Sequence, residues 1–285
     1  MNLEAVEKIA NAVLYEGYLL YPYRRSAVKN QQRFNFGVLY PPKFCQDPDP
    51  FEMRTECLIT GAAPSLAVKT RFLQLVERDD WQEGREREVT LAWPLESLPV
   101  RRAFSFDDAI AGEIELTAER LRDGLTKIIL QVRNCAGFDG AGRPAALLRS
   151  LVSVHSILQV AGGEFISLLE PPEEFCAAAE SCRNQGAWPV LVGDAGERNT
   201  MLVSPIILYD YPQIAPESAG DLFDGTEIDE ILALRILTMT DQEKQEVRAG
   251  DERARQILER TESLPAEHFQ KLHGALRGLP FGGRR

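Results

Sequence analysis

The segment "EIELTAERLRDGLTKIILQVRN", residues 113–134, contains two runs of alternating apolar and charged residues on either side of an Asp-Gly pair. Alternation with a period of two indicates β-strands that bury one face, and Asp-Gly favours a tight turn between them. The apolar faces of the two strands coincide only if the loop holds residues 122–124, because Leu116 then lies opposite Leu130. A two-residue loop would set Leu116 against Gln131 and turn apolar side chains to the wrong face. The segment therefore predicts an antiparallel hairpin whose loop ends in a left-handed glycine.

The same alternation continues along most of the chain before residue 208. It predicts a second hairpin over 150–171 that turns at Gly162-Gly163, followed by a short helix over 171–186. Further strands are predicted over 33–40, 53–61, 66–77, 87–93, 187–194 and 199–212.

Helical spacing replaces this alternation at the two ends of the sequence. Residues 2–17 carry an apolar stripe at helical spacing, and the chain becomes helical again after Gly220. Strands followed by helices, rather than strands alternating with helices, favour the α+β class. We therefore expect an antiparallel β-sandwich or open-barrel core with an N-terminal helix and a C-terminal helical segment. The expected domains are a β-rich core over 1–219 and a helical segment over 220–285, which packs on the core or extends from it.

Composition and charge narrow the classes of partner. The 285-residue chain has a formal net charge of −11, which argues against nucleic acid because phosphate binding needs a basic surface. The sequence has no run of about 18 apolar residues, so we expect no membrane span. Glu4, Glu7 and Lys8 lie where a signal peptide needs apolar residues, which predicts a cytoplasmic protein. The five cysteines include no Cys-x-x-Cys pair and favour reduced thiols over a disulfide framework.

The sequence contains no complete catalytic or cofactor-binding motif. A G-x-G-x-x-G run after a strand, a phosphate-binding P-loop, H-E-x-x-H and G-x-S-x-G are all missing from it. His268 and His273 are five residues apart in a predicted helix, so they lie on different faces and do not predict a shared metal. We therefore expect neither a cofactor nor a metal site.

Two polar residues lie within predicted strands. His155 is out of phase with the apolar residues around it, which predicts a solvent-facing or hydrogen-bonded histidine; the alternative is a general base or a single metal ligand. Glu56 and Cys57 are neighbours in a strand and point to opposite faces, so one of them could line a cleft. A nucleophilic cysteine also needs a base and an environment that stabilises the thiolate, and the sequence identifies neither.

Residues 19–42, "LLYPYRRSAVKNQQRFNFGVLYPP", combine tyrosines with arginine and lysine after the N-terminal helix. Tyrosine and arginine dominate binding hot spots, and arginine pairs with carboxylates in a bidentate way. Residues 210–230 carry seven acidic residues and no basic one. Two interpretations stay open: residues 19–42 bind a partner, or they clamp the acidic segment of the same chain. Asp210 and Tyr211, at the end of a predicted strand, are either ligand-facing groups or part of a turn that stops the strand.

The candidate binding residues combine the polar and aromatic side chains of these stretches. They are Tyr21, Tyr23, Arg24, Lys29, Asn30, Arg33, Glu56, His155, Asp210 and Tyr211.

Three stretches carry a resemblance to a known family. They are "VLYEGYLLYPYRRSAVKNQQRFNFGVLYP" at 13–41, "RTECLI" at 54–59 and "DLFDGTEIDEILALRILTMTDQEKQEVRAGDERARQILERTE" at 221–262. Together they resemble a bacterial protein family associated with gene clusters for nickel–iron hydrogenases. The resemblance implies an accessory or assembly role and a hydrogenase subunit or maturation factor as partner, and it brings no catalytic residues to this sequence.

Two hypotheses about function follow. The first is a non-catalytic accessory or assembly protein that recognises a protein partner, whose binding is lost when Tyr23 and Arg24 become alanine. The second is an enzyme or small-anion-binding protein with a pocket at a sheet edge. It requires the cations of 19–42 to converge with Glu56, His155 and Asp210.

Overall fold

A computed structural model describes residues 3–15, 34–45, 50–61, 65–78, 81–213 and 239–248, with five further residues at 255, 258, 259, 262 and 263. The chain divides into two compact units. The first is Met1–Tyr18 with Gln32–Gln213, and the second is Leu19–Gln31 with Ile214–Arg285. The predicted domain boundary between residues 219 and 220 lies outside the described residues.

The described strands of the first unit form two five-stranded sheets in which every pairing is antiparallel. The strands are β1 (Glu52–Thr60), β2 (Ser65–Arg78), β3 (Trp81–Pro94), β4 (Val100–Phe106), β5 (Ile110–Arg122), β6 (Leu125–Asn134), β7 (Val152–Ala161), β8 (Glu164–Ile166), β9 (Trp188–Leu191) and β10 (Thr200–Ser204). The first sheet has the order β4-β5-β6-β1-β8, and the second has the order β3-β2-β7-β10-β9. The predicted α+β class is confirmed, and the core is a sandwich.

The hairpin of residues 113–134 has the predicted register. Leu116 lies opposite Leu130 in the β5–β6 pair, and the register shifts only between residues 120 and 122, next to the loop. Gly124 has a φ of 73°, which is the left-handed conformation that such a loop needs and that glycine adopts without a steric cost.

The main core lies between the two sheets and contains inward-facing residues of both. The first sheet contributes Met53, Cys57, Ile59, Ile114, Leu116, Ile128, Leu130 and Val132, and the second contributes Leu66, Val68, Phe72, Leu91, Val154, Leu158, Val160, Met201 and Val203. Alternation along each strand therefore sends its other side chains to the outer faces of the sandwich.

Helices cover parts of both outer faces. Helix α1 (Leu3–Tyr15) packs Val6, Ala10 and Val13 against the outer face of the second sheet. Helix α2 (Gly142–Leu147) precedes β7, and helix α3 (Cys176–Ser181) buries Ala179 against the outer face of the first sheet. The apolar stripe predicted for the N-terminal helix and the helix predicted within 171–186 are both confirmed.

The predicted strands 87–93 and 199–212 differ from β3 and β10 in their bounds, and three further differences concern whole strands or the connection between them. Within the predicted strand 33–40, the described residues contain only an isolated bridge between Leu39 and Leu151, because Phe34 and Gly37 have positive φ angles that interrupt an extended chain. The predicted hairpin at Gly162-Gly163 is wrong, since β7 and β8 belong to different sheets and the chain crosses the sandwich there. Strand β4 is missing from the predictions because its sequence, "VRRAFSF", is largely exposed at a sheet edge and shows little apolar alternation.

The described part of the second unit contains helix α4 (Asp241–Arg248). Lys244 and Arg248 of this helix form ion pairs with Glu262 at 3.1 and 2.6 Å. The rest of the helical segment predicted over 220–285 lies outside the described residues. No helix in the described ranges combines the length and apolar character needed to cross a membrane.

Candidate functional site

A cleft of about 430 Å³ opens at one end of the sandwich in the first unit. It falls within the range of roughly 300–1,000 Å³ that is typical of ligand sites. We call it the aromatic cleft. Its lining residues are Asn35, Phe36, Gly37, Val38, Leu39, Tyr40, Pro50, Arg143, Gly186, Trp188 and Pro205.

The cleft depends on a tight backbone approach at Gly37. This residue has a φ of 54°, and a Cβ atom there would lie 2.7 Å from Cβ of Pro205 and 3.2 Å from the amide nitrogen of Val154. The carbonyl of Gly37 accepts a hydrogen bond from the N–H of Val154 at 3.0 Å. Only glycine fits this conformation and this space without strain, so Gly37 sets the path of the segment that lines the cleft.

Arg143, in helix α2, holds the same segment from the other side. Its Nε donates to the hydroxyl oxygen of Tyr40 at 3.0 Å, and its Nη2 donates to the carbonyl of Phe34 and to Oδ1 of Asn35, both at 2.8 Å. A planar guanidinium that donates to several acceptors is well fixed in orientation. The wall of the cleft is therefore built around an ordered positive charge.

Two of the large exposed apolar side chains of the described residues line the cleft. Phe36 and Trp188 line it and remain 40% and 38% exposed. Phe51 follows the lining residue Pro50, and Ile207 follows Pro205 by two residues; both are also exposed. Large exposed apolar side chains gathered in one place are typical of interaction sites.

Six of the predicted binding residues lie outside the described residues. They are Tyr21, Tyr23, Arg24, Lys29, Asn30 and Arg33. The alternative of a clamp between residues 19–42 and the acidic segment 210–230 is also untested, because only 34–42 and 210–213 of these two segments are described. Within the first of them, residues 35–40 line the aromatic cleft.

Glu56 is buried on the outer face of the first sheet, where three groups satisfy its carboxylate. Arg54 approaches Oε1 at 2.5 Å, the backbone N–H of Arg183 donates to Oε2 at 3.0 Å, and Nζ of Lys127 lies 3.6 Å from Oε2. Burial acts to raise the pKa of Glu56, but the hydrogen bonds from Arg54 and Arg183 and the charges of Arg54 and Lys127 lower it below its ordinary value. Glu56 is thus an ionised anchor for the chain after helix α3, and it does not line the cleft.

His155 is fully buried on the outer face of the second sheet, on the same side as helix α1. The prediction of a solvent-facing side chain is wrong, and the hydrogen-bonded alternative is right: Nδ1 donates to the carbonyl of Ser153 at 2.9 Å. Nε2 has no hydrogen-bond partner among the described residues. Burial lowers the pKa of His155 to about 4, against an ordinary value of 6.5, so the imidazole is neutral near pH 7.

Acidification from about pH 6.5 to about pH 4 is expected to destabilise the fold through His155. The unfolded chain takes up a proton below about 6.5, whereas the folded chain resists it until about 4. The contribution of His155 to the free energy of unfolding is therefore fully present above pH 6.5. It falls across this window by about 3 kcal/mol in total. Urea unfolding across the window, compared with a His155→Gln variant, measures the effect. If the stability difference between the two proteins does not change with pH, His155 does not titrate as described.

Asp210 and Tyr211 follow β10 and form hydrogen bonds with Ser167, Leu191 and Glu197. Asp210 accepts hydrogen bonds from the hydroxyl of Ser167 at 2.5 Å and from the N–H of Leu191 at 2.7 Å. The N–H of Tyr211 donates to the carbonyl of Leu191 at 2.7 Å, and its hydroxyl donates to the carbonyl of Glu197 at 3.0 Å. These contacts match the turn interpretation of this pair.

The structure does not bring Glu56, His155 and Asp210 into one pocket. Glu56 and His155 lie on the outer faces of opposite sheets, and Asp210 lies in the turn that follows β10. Sequence reasoning missed Arg143 and Trp188, which line the cleft. Trp188 offered a weak signal as an aromatic residue before a strand proline, whereas nothing near Arg143 in the sequence marks it.

Two of the cysteines of the first unit, Cys57 and Cys182, are poor candidates for a nucleophile. Cys57 is fully buried, and burial raises the pKa of its thiol. Burial also raises the pKa of Cys182 to about 11, so neither forms a nucleophilic thiolate readily near pH 7. The described residues include no group of three or more His, Cys, Asp and Glu side chains placed to hold a metal ion.

Comparison of the sequence with known protein families and with curated proteins finds no match in either case.

Proposed function

We propose that this chain is a non-catalytic accessory or assembly protein that recognises a protein partner through the aromatic cleft. The observation that carries the proposal is the combination of two exposed aromatic side chains, Phe36 and Trp188, with the ordered guanidinium of Arg143 in one concave site. Tryptophan, tyrosine and arginine dominate the binding energy of protein interfaces, mainly when they lie in pockets that water leaves on binding.

The chemistry of the buried groups supports recognition over catalysis. The ionised carboxylate of Glu56 is held in ion pairs with Arg54 and Lys127, and His155 is buried away from the cleft. A general acid or base must reach its substrate within hydrogen-bond distance, and neither residue lines the cleft.

The partner is proposed from the sequence resemblance. A nickel–iron hydrogenase subunit or a maturation factor is the first partner to test, in the cytoplasm. The cleft itself does not select between them.

Replacing Trp188 by alanine is expected to weaken partner binding on the order of 30-fold, because hot-spot truncations cost about 2 kcal/mol or more. The partner is first captured from the native host with the tagged wild-type protein, and then purified and titrated against each variant by calorimetry.

Leu169→Ala is the matched control, since Leu169 is 51% exposed and does not line the cleft. Thermal unfolding verifies that both variants are folded. Equal binding by the wild-type protein and the Trp188→Ala variant, or equal losses in the two variants, would contradict the proposed function.

A further inference from the structure

The buried imidazole of His155 has one ring nitrogen that no described residue satisfies. Nδ1 directs its proton at the carbonyl of Ser153, so Nε2 holds the lone pair and is the nitrogen that takes up a second proton. The side chain is fully buried, and no described residue forms a hydrogen bond with Nε2. Protonation in place would therefore bury a positive N–H group that lacks an acceptor among the described residues, and such a group is strongly disfavoured.

The charges that act on His155 do not offset this cost. Arg71 of β2 lies directly opposite His155 and its side chain is largely buried. Its positive charge acts to lower the pKa of His155. Glu86 of β3 acts in the opposite direction, but its carboxylate lies 3.3 Å from the guanidinium of Arg71. Strands β7 and β10 contain no Asp, Glu, Lys or Arg, so they supply no further carboxylate to the imidazole.

Helix α1 is attached to the same polar groups. Arg71, the residue opposite His155, donates from Nη2 to Oδ1 of Asn11 at 2.8 Å. At the end of the helix, the hydroxyl of Tyr15 donates to the carboxylate of Glu86. A positive charge on His155 would repel the guanidinium that links the sheet to the helix. Protonation therefore acts on one of the attachments of helix α1.

The other charged groups of this face form exposed ion pairs. Glu7 and Lys8 of helix α1 are both exposed. Nζ of Lys69, in β2, lies 3.5 Å from the carboxylate of Glu7 and 3.6 Å from that of Glu88 in β3. Exposed pairs contribute little to stability, so they hold the helix on the sheet only weakly.

The helix can leave this face without opening the main core. Its apolar residues cover a patch on the outer face of the second sheet, formed by Ile157, Val190, Val192 and Leu202. Backbone pairing joins β7 to β2 and to β10 beneath the helix, and the main core lies on the other side of the sheet. An element held by side chains on the surface of paired strands is of the kind that opens locally in native proteins.

We infer that helix α1 is a pH-sensitive cover of the second sheet, and that protonation of His155 releases the helix while the two sheets stay paired. Release brings the imidazole into contact with water and uncovers the apolar patch of Ile157, Val190, Val192 and Leu202. The pKa of His155 is about 4 when it is buried, against an ordinary value of 6.5. The docked helix is therefore fully favoured above pH 6.5 and loses stability as the pH falls toward 4. This surface is distinct from the aromatic cleft, and the inference does not depend on the proposed function.

Amide hydrogen exchange of the full-length chain, divided by the rate of an unstructured peptide at the same pH, measures how often the helix opens. We expect the amides of residues 6–13 to open about 30-fold more often at about pH 5 than at about pH 7.5, as the two pKa values of His155 require. At both pH values they should open at least about tenfold more often than the amides of β1 and β6, because the sheets stay paired. His155→Gln keeps a polar side chain that does not titrate, and it should reduce the rise to less than about twofold.

The double variant His268→Gln/His273→Gln is the matched control, because it removes the other two histidines of the chain. It should keep the full rise in helix opening. His155 is then the single imidazole, so nuclear magnetic resonance can follow its protonation even if His155→Gln does not fold, and the titration should coincide with the rise. Helix opening that is equal at the two pH values, that rises as much in His155→Gln, or that rises without titration of His155 would overturn the inference. Opening of helix α1 only as often as β1 and β6 would overturn it too, since the helix would then leave only when the whole sandwich unfolds.

Discussion

Replacing Glu56 by glutamine is expected to destabilise the first unit by about 3 kcal/mol, at the lower end of the cost of breaking a buried ion pair. The side chains of Glu56 and Lys127 are only 6% and 10% exposed, so the substitution leaves a buried ammonium group without its carboxylate. Glutamine keeps the shape of the side chain, which separates the loss of charge from the loss of packing. Urea unfolding followed by circular dichroism at neutral pH measures the change.

Two further variants make this prediction specific. Replacing Lys127 by methionine in the Glu56→Gln background removes the uncompensated charge and should recover part of the lost stability. Asp123→Asn breaks an exposed pair with Arg120, 2.8 Å apart, and should cost no more than about 1 kcal/mol. If Glu56→Gln costs no more than Asp123→Asn, Glu56 is not the buried anchor described above.

The hydrogen bonds of Glu56 and Arg54 with residues 183–185 also position one wall of the aromatic cleft. Glu56 accepts from the N–H of Arg183, and its own N–H donates to Oδ1 of Asn184 at 2.9 Å. Arg54 and Gln185 then exchange two backbone hydrogen bonds, and the next residue, Gly186, lines the cleft. A glutamate that sequence reasoning assigned to a ligand site thus acts on the cleft through the backbone that it holds.

The β5–β6 hairpin could be predicted from the sequence because everything that fixes it is local. The alternation of Leu116 and Leu130 with charged neighbours sets the faces, and Gly124 sets the loop. The N-terminal helix and the sandwich class followed from periodicity in the same way. These signals repeat within a few residues, so no knowledge of distant contacts is needed.

Other features depend on contacts that a sequence does not display. Gly162-Gly163 looks like a hairpin turn, yet β8 pairs with β1, a strand about 100 residues earlier. Of the two interpretations of His155, solvent-facing or hydrogen-bonded, the solvent-facing one is wrong because alternation shows only which side chains share a face. It does not show that Val6, Ala10 and Val13 of the N-terminal helix cover that face of the sheet.

The aromatic cleft shows the same limit most clearly. Its lining residues come from widely separated positions, including Phe36, Arg143, Trp188 and Pro205. None of them stands out in its own stretch of sequence, and contacts between distant parts of the chain bring them together. Phe36 belongs to the Tyr/Arg stretch at 19–42, so that part of the sequence pointed toward the cleft without indicating its other wall.

Replacing Phe72 by alanine is expected to destabilise the sandwich by about 3–5 kcal/mol, the usual cost of truncating a buried phenylalanine. Phe72 lies in the second sheet, is fully buried, and contacts the rings of Phe104 and Phe106 in β4, with centroid distances of 5.7 and 5.9 Å. Arg87 stacks over the ring of Phe106 at 4.9 Å and covers the cluster. Among the described strands β4 pairs only with β5, and these rings attach it to the opposite sheet.

The size of the substituent and its position provide the controls. Phe72→Leu keeps most of the apolar volume and should cost less than about 1.5 kcal/mol. Tyr209→Ala removes an aromatic ring that is 86% exposed and should cost about 0.5 kcal/mol or less.

Amide hydrogen exchange then separates a local effect on β4 from a global loss of stability. Since Phe72→Ala removes contacts that β4 makes across the sandwich, the amides of β4 should lose protection before those of β6 and β1, which are paired on both sides. Uniform loss of protection would instead mean that the aromatic cluster stabilises the whole sandwich as one cooperative unit, and the proposed attachment of β4 would be wrong.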